Sequence, residues 1–101
     1  MAFIRACSAD EIKQGCGKSV EVNGEEIAIF NVDGNFYAIG NTCPHRGGPL
    51  GEGFLEGSIV TCPWHGWQFN VQDGENVMLP QMKVPSYKVK VEGNDVLVSL
   101  D

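Results

Sequence analysis

The segments Cys43-Pro-His45-Arg-Gly-Gly-Pro-Leu50 and Cys62-Pro-Trp-His65-Gly-Trp-Gln-Phe69 decide how this 101-residue chain is interpreted. Sixteen residues separate His45 from Cys62. Each segment offers one thiol and one imidazole on a stretch rich in proline and glycine, which excludes a helix interior. Two sulfur and two nitrogen ligands divided in this way predict a metal centre held by Cys43, His45, Cys62 and His65.

Two kinds of metal centre accept these four ligands. A structural zinc ion binds two cysteines and two histidines, although zinc modules usually begin with two cysteines separated by two to four residues. A [2Fe–2S] centre is the other candidate, and a Cys-x-His pair followed by Cys-x-x-His favours it. The glycines beside these ligands (Gly47, Gly48 and Gly66) are expected to let main-chain N–H groups approach the sulfurs.

Composition limits the class of protein. The formal charge is −6 and the pI is about 4.7, which disfavours nucleic acid and anionic membranes as partners. No secretory signal and no apolar run long enough to span a bilayer is visible, so we expect a cytoplasmic protein. Residues 1–101 are expected to form one domain. Cys7 and Cys16 have no spaced ligand partner and are expected to be ordinary reduced thiols.

Turn dipeptides divide the chain into short strands. Asn23-Gly24 and Asp33-Gly34 predict hairpin turns, and Ser8 followed by Glu11 predicts a capping box on one short helical turn that ends by Gly15. The predicted strands are Phe3–Cys7, Lys18–Val22, Glu25–Val32, Asn35–Ile39, Ile59–Thr61, Trp67–Val71, Tyr87–Val91 and Val96–Leu100. This pattern predicts an all-β fold, an antiparallel β-sandwich or partial barrel. The Cys/His loops, 42–53 and 62–66, would form a small subdomain of about residues 41–69.

The two Cys/His segments resemble the cluster loops of Rieske iron–sulfur proteins, and the resemblance covers nearly the whole chain. It implies that Cys43 and Cys62 bind one iron of a Rieske-type [2Fe–2S] cluster, while His45 and His65 bind the other at an exposed tip. In such centres two histidines replace two cysteines on one iron, which raises the reduction potential. The 73–75 turn and Leu79-Pro80 fall where the family has a turn and then a proline loop over the cluster.

Departures from the family pattern indicate a particular branch. Quinol-oxidising members carry two further cysteines at the positions of Gly48 and Trp64, so we expect no disulfide between these loops. They also place hydroxyl groups near the cluster sulfurs where this chain has Trp67 and Phe69. Fewer donors stabilise the reduced form less, so we predict a potential near the low end of the Rieske range, roughly −150 mV. Trp64 and Trp67 are expected to belong to the core or to shield the cluster, and contact with a partner is the alternative for Trp64 because it directly precedes His65.

The histidine count bears on function. Both histidines of the chain are assigned to the cluster, which leaves none for a mononuclear iron site of the 2-His-1-carboxylate type. We therefore expect an electron carrier rather than an enzyme. The resemblance implies a ferredoxin, expected as a monomer, that accepts electrons from an NAD(P)H-dependent flavoprotein reductase and passes them to a terminal Rieske non-haem iron oxygenase, typically an aromatic-ring dioxygenase. The alternatives are the small subunit of an assimilatory nitrite reductase and a zinc-stabilised interaction module.

Overall fold

The computed structural model describes residues 2–44, 47–64 and 66–100. Within these ranges the chain forms short strands and two single 3-10 turns. The strands are β1 (Phe3–Ser8), β2 (Gly17–Val22), β3 (Glu25–Val32), β4 (Asn35–Gly40), β5 (Phe54–Glu56), β6 (Ile59–Thr61), β7 (Gln68–Asn70), β8 (Ser86–Glu92) and β9 (Asp95–Ser99), and the 3-10 turns are Ala9–Glu11 and Leu50–Glu52. These described ranges contain no helix with the length and apolar content needed to cross a bilayer.

All strand pairs are antiparallel, and they form two sheets. The larger sheet has the order β1-β9-β8-β4-β3-β2, and the smaller has the order β5-β6-β7. The predicted all-β fold is therefore confirmed. The smaller sheet lies in the sequence between β4 and β8, so it is an insertion into the larger one. The two cysteines of the predicted metal centre lie in the segments that lead into this insertion and connect its last two strands.

The predicted hairpin turns are confirmed by the backbone. Asn23 and Gly24 have φ angles of 51° and 84°, and Asp33 and Gly34 have 53° and 86°. Positive φ at both central residues is the signature of the type I′ turn, whose twist matches that of the flanking strands. These two turns join β2, β3 and β4 into a meander with continuous pairing.

The central strand β3 supplies two apolar cores, one on each face. Ile27 and Ile29 pack with Val96 and Val98 of β9. The intervening residues, Ala28 and Phe30, pack on the opposite face in a core that also contains both predicted cysteine ligands. Side chains alternate between faces along a strand, so one buried strand serves two layers. The insertion thus packs against the face of the meander opposite the β1 and β9 side.

The predicted helical turn is a 3-10 turn that ends at Glu11, before Gly15. The main-chain N–H of Ser8 donates to the Glu11 carboxylate at 2.8 Å. This hydrogen bond lowers the pKa of Glu11, and Lys18, whose Nζ lies 3.7 Å from the carboxylate, acts in the same direction. The hydrogen bond from the Ser8 N–H to the Glu11 side chain is one half of the predicted capping box, and it fixes the start of the turn.

Two elements were not predicted. Strand β5 covers only three residues, and it forms because Phe54–Glu56 pairs with β6 across a turn in which Gly57 has a φ of 61°. The 3-10 turn Leu50–Glu52 lies inside the segment predicted to be a loop. Neither segment contains the β-branched residues that indicated the equally short strand β6.

Candidate metal centre

The first cysteine loop is a closed turn. The Cys43 N–H donates to the carbonyl oxygen of Gly48 at 2.9 Å, and the Gly47 N–H donates to the carbonyl oxygen of Cys43 at 2.7 Å. Gly47 has a φ of 79°, a conformation that glycine adopts without a steric penalty. Cys43 therefore stands at the base of the turn, with its main chain held from both sides.

The second cysteine loop repeats this arrangement. The Cys62 N–H donates to the Trp67 carbonyl oxygen at 2.7 Å, and the Gly66 N–H donates to the Cys62 carbonyl oxygen at 3.1 Å. Gly66 also has a φ of 79°. In both loops the cysteine N–H donates to the carbonyl oxygen of the residue five positions later, and the cysteine carbonyl oxygen accepts from the N–H of the glycine four positions later. The common pattern Cys-Pro-x-x-Gly, present twice in the sequence, is the signal from which this repeat can be predicted.

The glycines beside the predicted ligands have different roles. The N–H groups of Gly47 and Gly66 donate to the cysteine carbonyl oxygens, and the expected approach of main-chain N–H groups to the sulfurs stays a prediction. Gly48 is the glycine that approaches a sulfur. A β-carbon built on Gly48 would lie 2.6 Å from Cys62 Sγ and 3.2 Å from Trp64 Cγ. The two loops therefore meet where the bare α-carbon of Gly48 lies against the thiol and indole of the other loop.

Both cysteine side chains are buried in the same apolar core. Cys43 is 1 % exposed and Cys62 is 2 % exposed. Their neighbours in this core are Ala28, Phe30, Ile39, Leu50, Val60, Phe69, Val71 and Val84. These apolar side chains exclude water from the two sulfurs. The resulting low-dielectric environment affects the reduction potential of a metal bound there.

The remaining predicted site residues divide into two groups. His45 and His65 lie outside the described residues. Trp64, for which the sequence left shielding of the cluster and contact with a partner open, is described and is 63 % exposed, while its indole packs on Gly48. A ring with this exposure is available to a docked protein, and the contact itself stays a prediction.

The two other cysteines lie outside the loops and are free thiols. Cys7 is buried in the opposite core, and this burial raises the pKa of its thiol. Cys16 is exposed. A raised pKa keeps the Cys7 thiol protonated, and the thiolate is the form that binds metals. These observations agree with the predicted role of ordinary thiols.

The residues that replace hydroxyl donors are aromatic and pack together. The rings of Trp67 and Phe69 are 6.4 Å apart at an interplanar angle of 45°. Phe69 is fully buried in the core that holds the cysteines, and Trp67 packs against that core. The rings provide apolar surface in this position, and the Phe69 side chain has no hydrogen-bond donor.

The segment after the insertion is an exposed apolar loop. Asn76 is buried, and its Oδ1 accepts hydrogen bonds from the N–H groups of Met78 and Leu79, both at 2.9 Å. Met78 is 80 % exposed. The turn before it passes so close to Val84 that a β-carbon on Gly74 would overlap the Val84 carbonyl oxygen. The predicted 73–75 turn and the Leu79-Pro80 loop are thus fixed at both ends.

Comparison with known proteins resolves the choice between metal centres. The model of the Rieske [2Fe-2S] domain family matches residues 2–88. The chain is 37 % identical over 100 residues to the ferredoxin component of the naphthalene 1,2-dioxygenase/salicylate 5-hydroxylase systems of Ralstonia sp, covering 98 % of this chain and 96 % of that protein. It is 39 % identical over 100 residues to the biphenyl dioxygenase ferredoxin subunit of Pseudomonas sp. (strain KKS102), covering 97 % and 92 %.

Solved structures of similar size share the fold. The ferredoxin of carbazole 1,9a-dioxygenase from Nocardioides aromaticivorans IC177 matches with a TM-score of 0.90 and 30 % identity over all of both chains. A complex of reduced oxygenase and oxidised ferredoxin in carbazole 1,9a-dioxygenase matches with a TM-score of 0.85 and 31 % identity, over 96 % of this chain and 92 % of that one. A putative NADH-dependent nitrite reductase small subunit from Mycobacterium tuberculosis matches with a TM-score of 0.88 and 28 % identity, over 96 % and 93 %.

The described residues suit an iron–sulfur cluster. Two thiols are buried together, the loops that carry them have the same hydrogen-bond pattern, and a glycine leaves the space beside one sulfur free of a side chain. Thiolates are the ligands that hold such clusters in proteins. The relatives named above are ferredoxin components, which transfer electrons and are not the catalytic parts of their systems. The chain therefore belongs to the Rieske [2Fe-2S] domain family and is an electron-transfer protein with a Rieske-type cluster.

Proposed function

We propose that this protein is the ferredoxin of an aromatic-ring dioxygenase system and works in the cytoplasm as a monomer. It would accept single electrons from an NAD(P)H-dependent flavoprotein reductase and pass them to a terminal Rieske non-haem iron oxygenase. The observation that carries the proposal is the match over nearly the whole chain to ferredoxin components of dioxygenase systems. The similar ferredoxin found in a complex with an oxygenase supports the choice of acceptor.

The proposed ligands are Cys43 and Cys62 for one iron and His45 and His65 for the other. A [2Fe–2S] cluster with these ligands supplies a centre that accepts and releases one electron. The apolar core around Cys43 and Cys62 keeps water from the sulfurs. The closed turns hold both cysteines in place, so little of the protein needs to rearrange when the charge of the centre changes.

Cysteine replacements test the ligand assignment. Cys43→Ser and Cys62→Ser are each expected to abolish the visible absorbance of the cluster and to lower the iron content of the purified protein. Cys16→Ser is the matched control, since this exposed thiol lies outside both loops, and it is expected to keep the full cluster content. A full cluster in Cys43→Ser would remove Cys43 from the ligand set.

Electron delivery tests the functional assignment. The protein, reduced anaerobically, is mixed with an aromatic-ring dioxygenase in a stopped-flow instrument, and reoxidation is followed by the cluster absorbance. We expect reoxidation at a rate that rises with oxygenase concentration, and reduction by NADH only when a flavoprotein reductase is present. Reoxidation that does not depend on the oxygenase would contradict the proposed role.

A second candidate function is the small subunit of an assimilatory nitrite reductase. The structural match to a putative small subunit of this kind, at 28 % identity, favours keeping it. Affinity purification from the native cell distinguishes the two. A dioxygenase subunit in the purified material supports the ferredoxin assignment, and a sirohaem protein supports the nitrite reductase assignment.

A further inference from the structure

Asn41 is a buried polar residue at the junction between β4 and the first cysteine loop, and it is 3 % exposed. Its side-chain Oδ1 accepts two hydrogen bonds, from Ser19 Oγ at 3.0 Å and from the Gly51 N–H at 2.8 Å. Its main chain makes two more: the N–H donates to the Glu26 carbonyl oxygen at 3.1 Å, and the carbonyl oxygen accepts from the Leu50 N–H at 2.7 Å. One residue therefore joins β2, β3 and the 3-10 turn Leu50–Glu52.

These bonds close the base of the loop that carries Cys43. The loop begins after Asn41 and ends at Leu50, and both the main chain and the side chain of Asn41 bind the segment at its end. Thr42 and Pro49 form an isolated bridge just above this junction. Cys43 follows two residues after Asn41, so the position of its sulfur depends on the geometry of the junction.

The 3-10 turn and β2 are in close contact at this junction. A β-carbon on Gly51 would lie 2.6 Å from both the main-chain nitrogen and the Oγ of Ser19. Gly51 thus lies against β2 at the point where Asn41 accepts both hydrogen bonds. A smaller side chain at position 41 would leave a buried N–H and a part-buried hydroxyl without their acceptor, which carries the desolvation penalty of unsatisfied polar groups. We expect the loop to open at its base to let water reach them.

We propose that Asn41 is a positioning residue that holds the first cysteine loop closed and so retains the cluster. Its hydrogen bonds join it to Ser19, Glu26, Leu50 and Gly51, so it acts through the base of the loop. A second buried asparagine, Asn31, also makes side-chain hydrogen bonds to the main chain, but it lies away from this junction. It therefore serves as a comparison for the proposed role. Asn31 accepts from the Gly34 N–H at 2.9 Å and donates to the Ile12 carbonyl oxygen at 2.9 Å, and these partners lie outside both cysteine loops.

The pair of asparagines gives a matched test. Asn41→Ala and Asn31→Ala each remove a buried amide, so both are expected to lower the unfolding temperature. Cluster retention separates them. With an excess of an iron chelator present, the visible absorbance of Asn41→Ala is expected to disappear about tenfold faster than that of the wild type, the size of effect typical of residues that support metal ligands. Asn31→Ala is expected to lose its cluster at the wild-type rate.

Equal rates of cluster loss in the two variants would overturn the proposal, because they would show only general destabilisation. Ser19→Ala provides a milder variant in case Asn41→Ala does not fold. It removes one of the two bonds to Oδ1, and we expect it to release the cluster faster than both the wild type and Asn31→Ala. A wild-type rate for Ser19→Ala, when Asn41→Ala is not obtained, would also overturn the proposal.

The inference rests on the proposed ligand Cys43, and the two can fail separately. If Cys43→Ser retains a normal cluster, the ligand assignment is wrong whatever the asparagine variants show. If Cys43→Ser loses the cluster while Asn41→Ala and Asn31→Ala release it at the same rate, the ligand stands and the role of Asn41 is rejected.

Discussion

The α-carbon of Gly48 lies so close to Cys62 that a β-carbon at position 48 would be 2.6 Å from the Cys62 sulfur. We predict that Gly48→Ala displaces this thiol and the Trp64 indole that packs beside it. The rate of cluster loss is expected to rise about tenfold. The measurement is the decay of visible absorbance with a chelator present, together with the iron content of the purified protein.

Gly57→Ala is the control for this replacement. Gly57 has a φ of 61°, but a β-carbon there would meet no atom within 4 Å. Alanine in this conformation costs about 1 kcal/mol or more of folding free energy, without a contact near the cysteine loops. We expect Gly57→Ala to unfold at a lower temperature and to keep its cluster. Loss of the cluster from both variants would assign the effect to general stability.

Trp64→Ala is predicted to slow electron transfer to the oxygenase without changing the visible spectrum. The indole is 63 % exposed, and aromatic residues are enriched among those that dominate protein interfaces. The second-order rate constant is measured by stopped flow. Phe54→Ala is the comparison, because Phe54 is 71 % exposed and lies on β5 outside the 62–67 turn. An unchanged rate for Trp64→Ala would reject the contact.

The rate of electron transfer to a basic partner is predicted to fall as salt is added. The chain has a formal charge of −6, and charges of opposite sign accelerate the encounter of two proteins. Raising the ionic strength shortens the distance over which these charges act, to about 8 Å at 0.15 M. Rate constants measured between low and physiological salt provide the test, and values that do not change with salt would show that steering is absent.

The midpoint potential is predicted to lie near −150 mV, the low end of the Rieske range. The physical reason is the pair Trp67 and Phe69, whose rings pack together where quinol-oxidising members have hydroxyl groups. Without those donors the reduced cluster is less stabilised. Titration followed by visible absorbance measures the potential, and a value above about +100 mV would contradict this explanation.

The contribution of Glu11 to stability is predicted to depend on pH. The hydrogen bond from the Ser8 N–H lowers the pKa of Glu11 below its ordinary value of 4.5. The ionised carboxylate therefore stabilises the folded protein above that pH, and this stabilisation is lost as the pH falls through the lowered pKa. We expect Glu11→Gln to unfold at a lower temperature than the wild type at pH 7. The difference should shrink as the pH falls below 4.5, and a constant difference would exclude ionisation as its cause.

Local signals in the sequence predicted much of this fold, because turns depend on a few residues. Asn23-Gly24 and Asp33-Gly34 fixed the meander, and β3 and β6 were predicted with their observed bounds. The β5 strand was missed because its three residues lack the β-branched side chains that indicated the equally short β6. The hydrogen bonds of Asn41 were missed for another reason. They join residues far apart in the chain, and no regular spacing in the sequence predicts such pairs. His45 and His65 stay predictions, since they lie outside the described residues.

The burial of Cys43 and Cys62 in the core under β3 has a consequence for biosynthesis. A thiol that is 1 or 2 % exposed offers almost no surface to another protein while the core is closed. We therefore expect iron and sulfide to arrive before the insertion packs against the meander, or while the insertion is separated from it. The burial of these two side chains thus links the order of folding to the delivery of the cofactor.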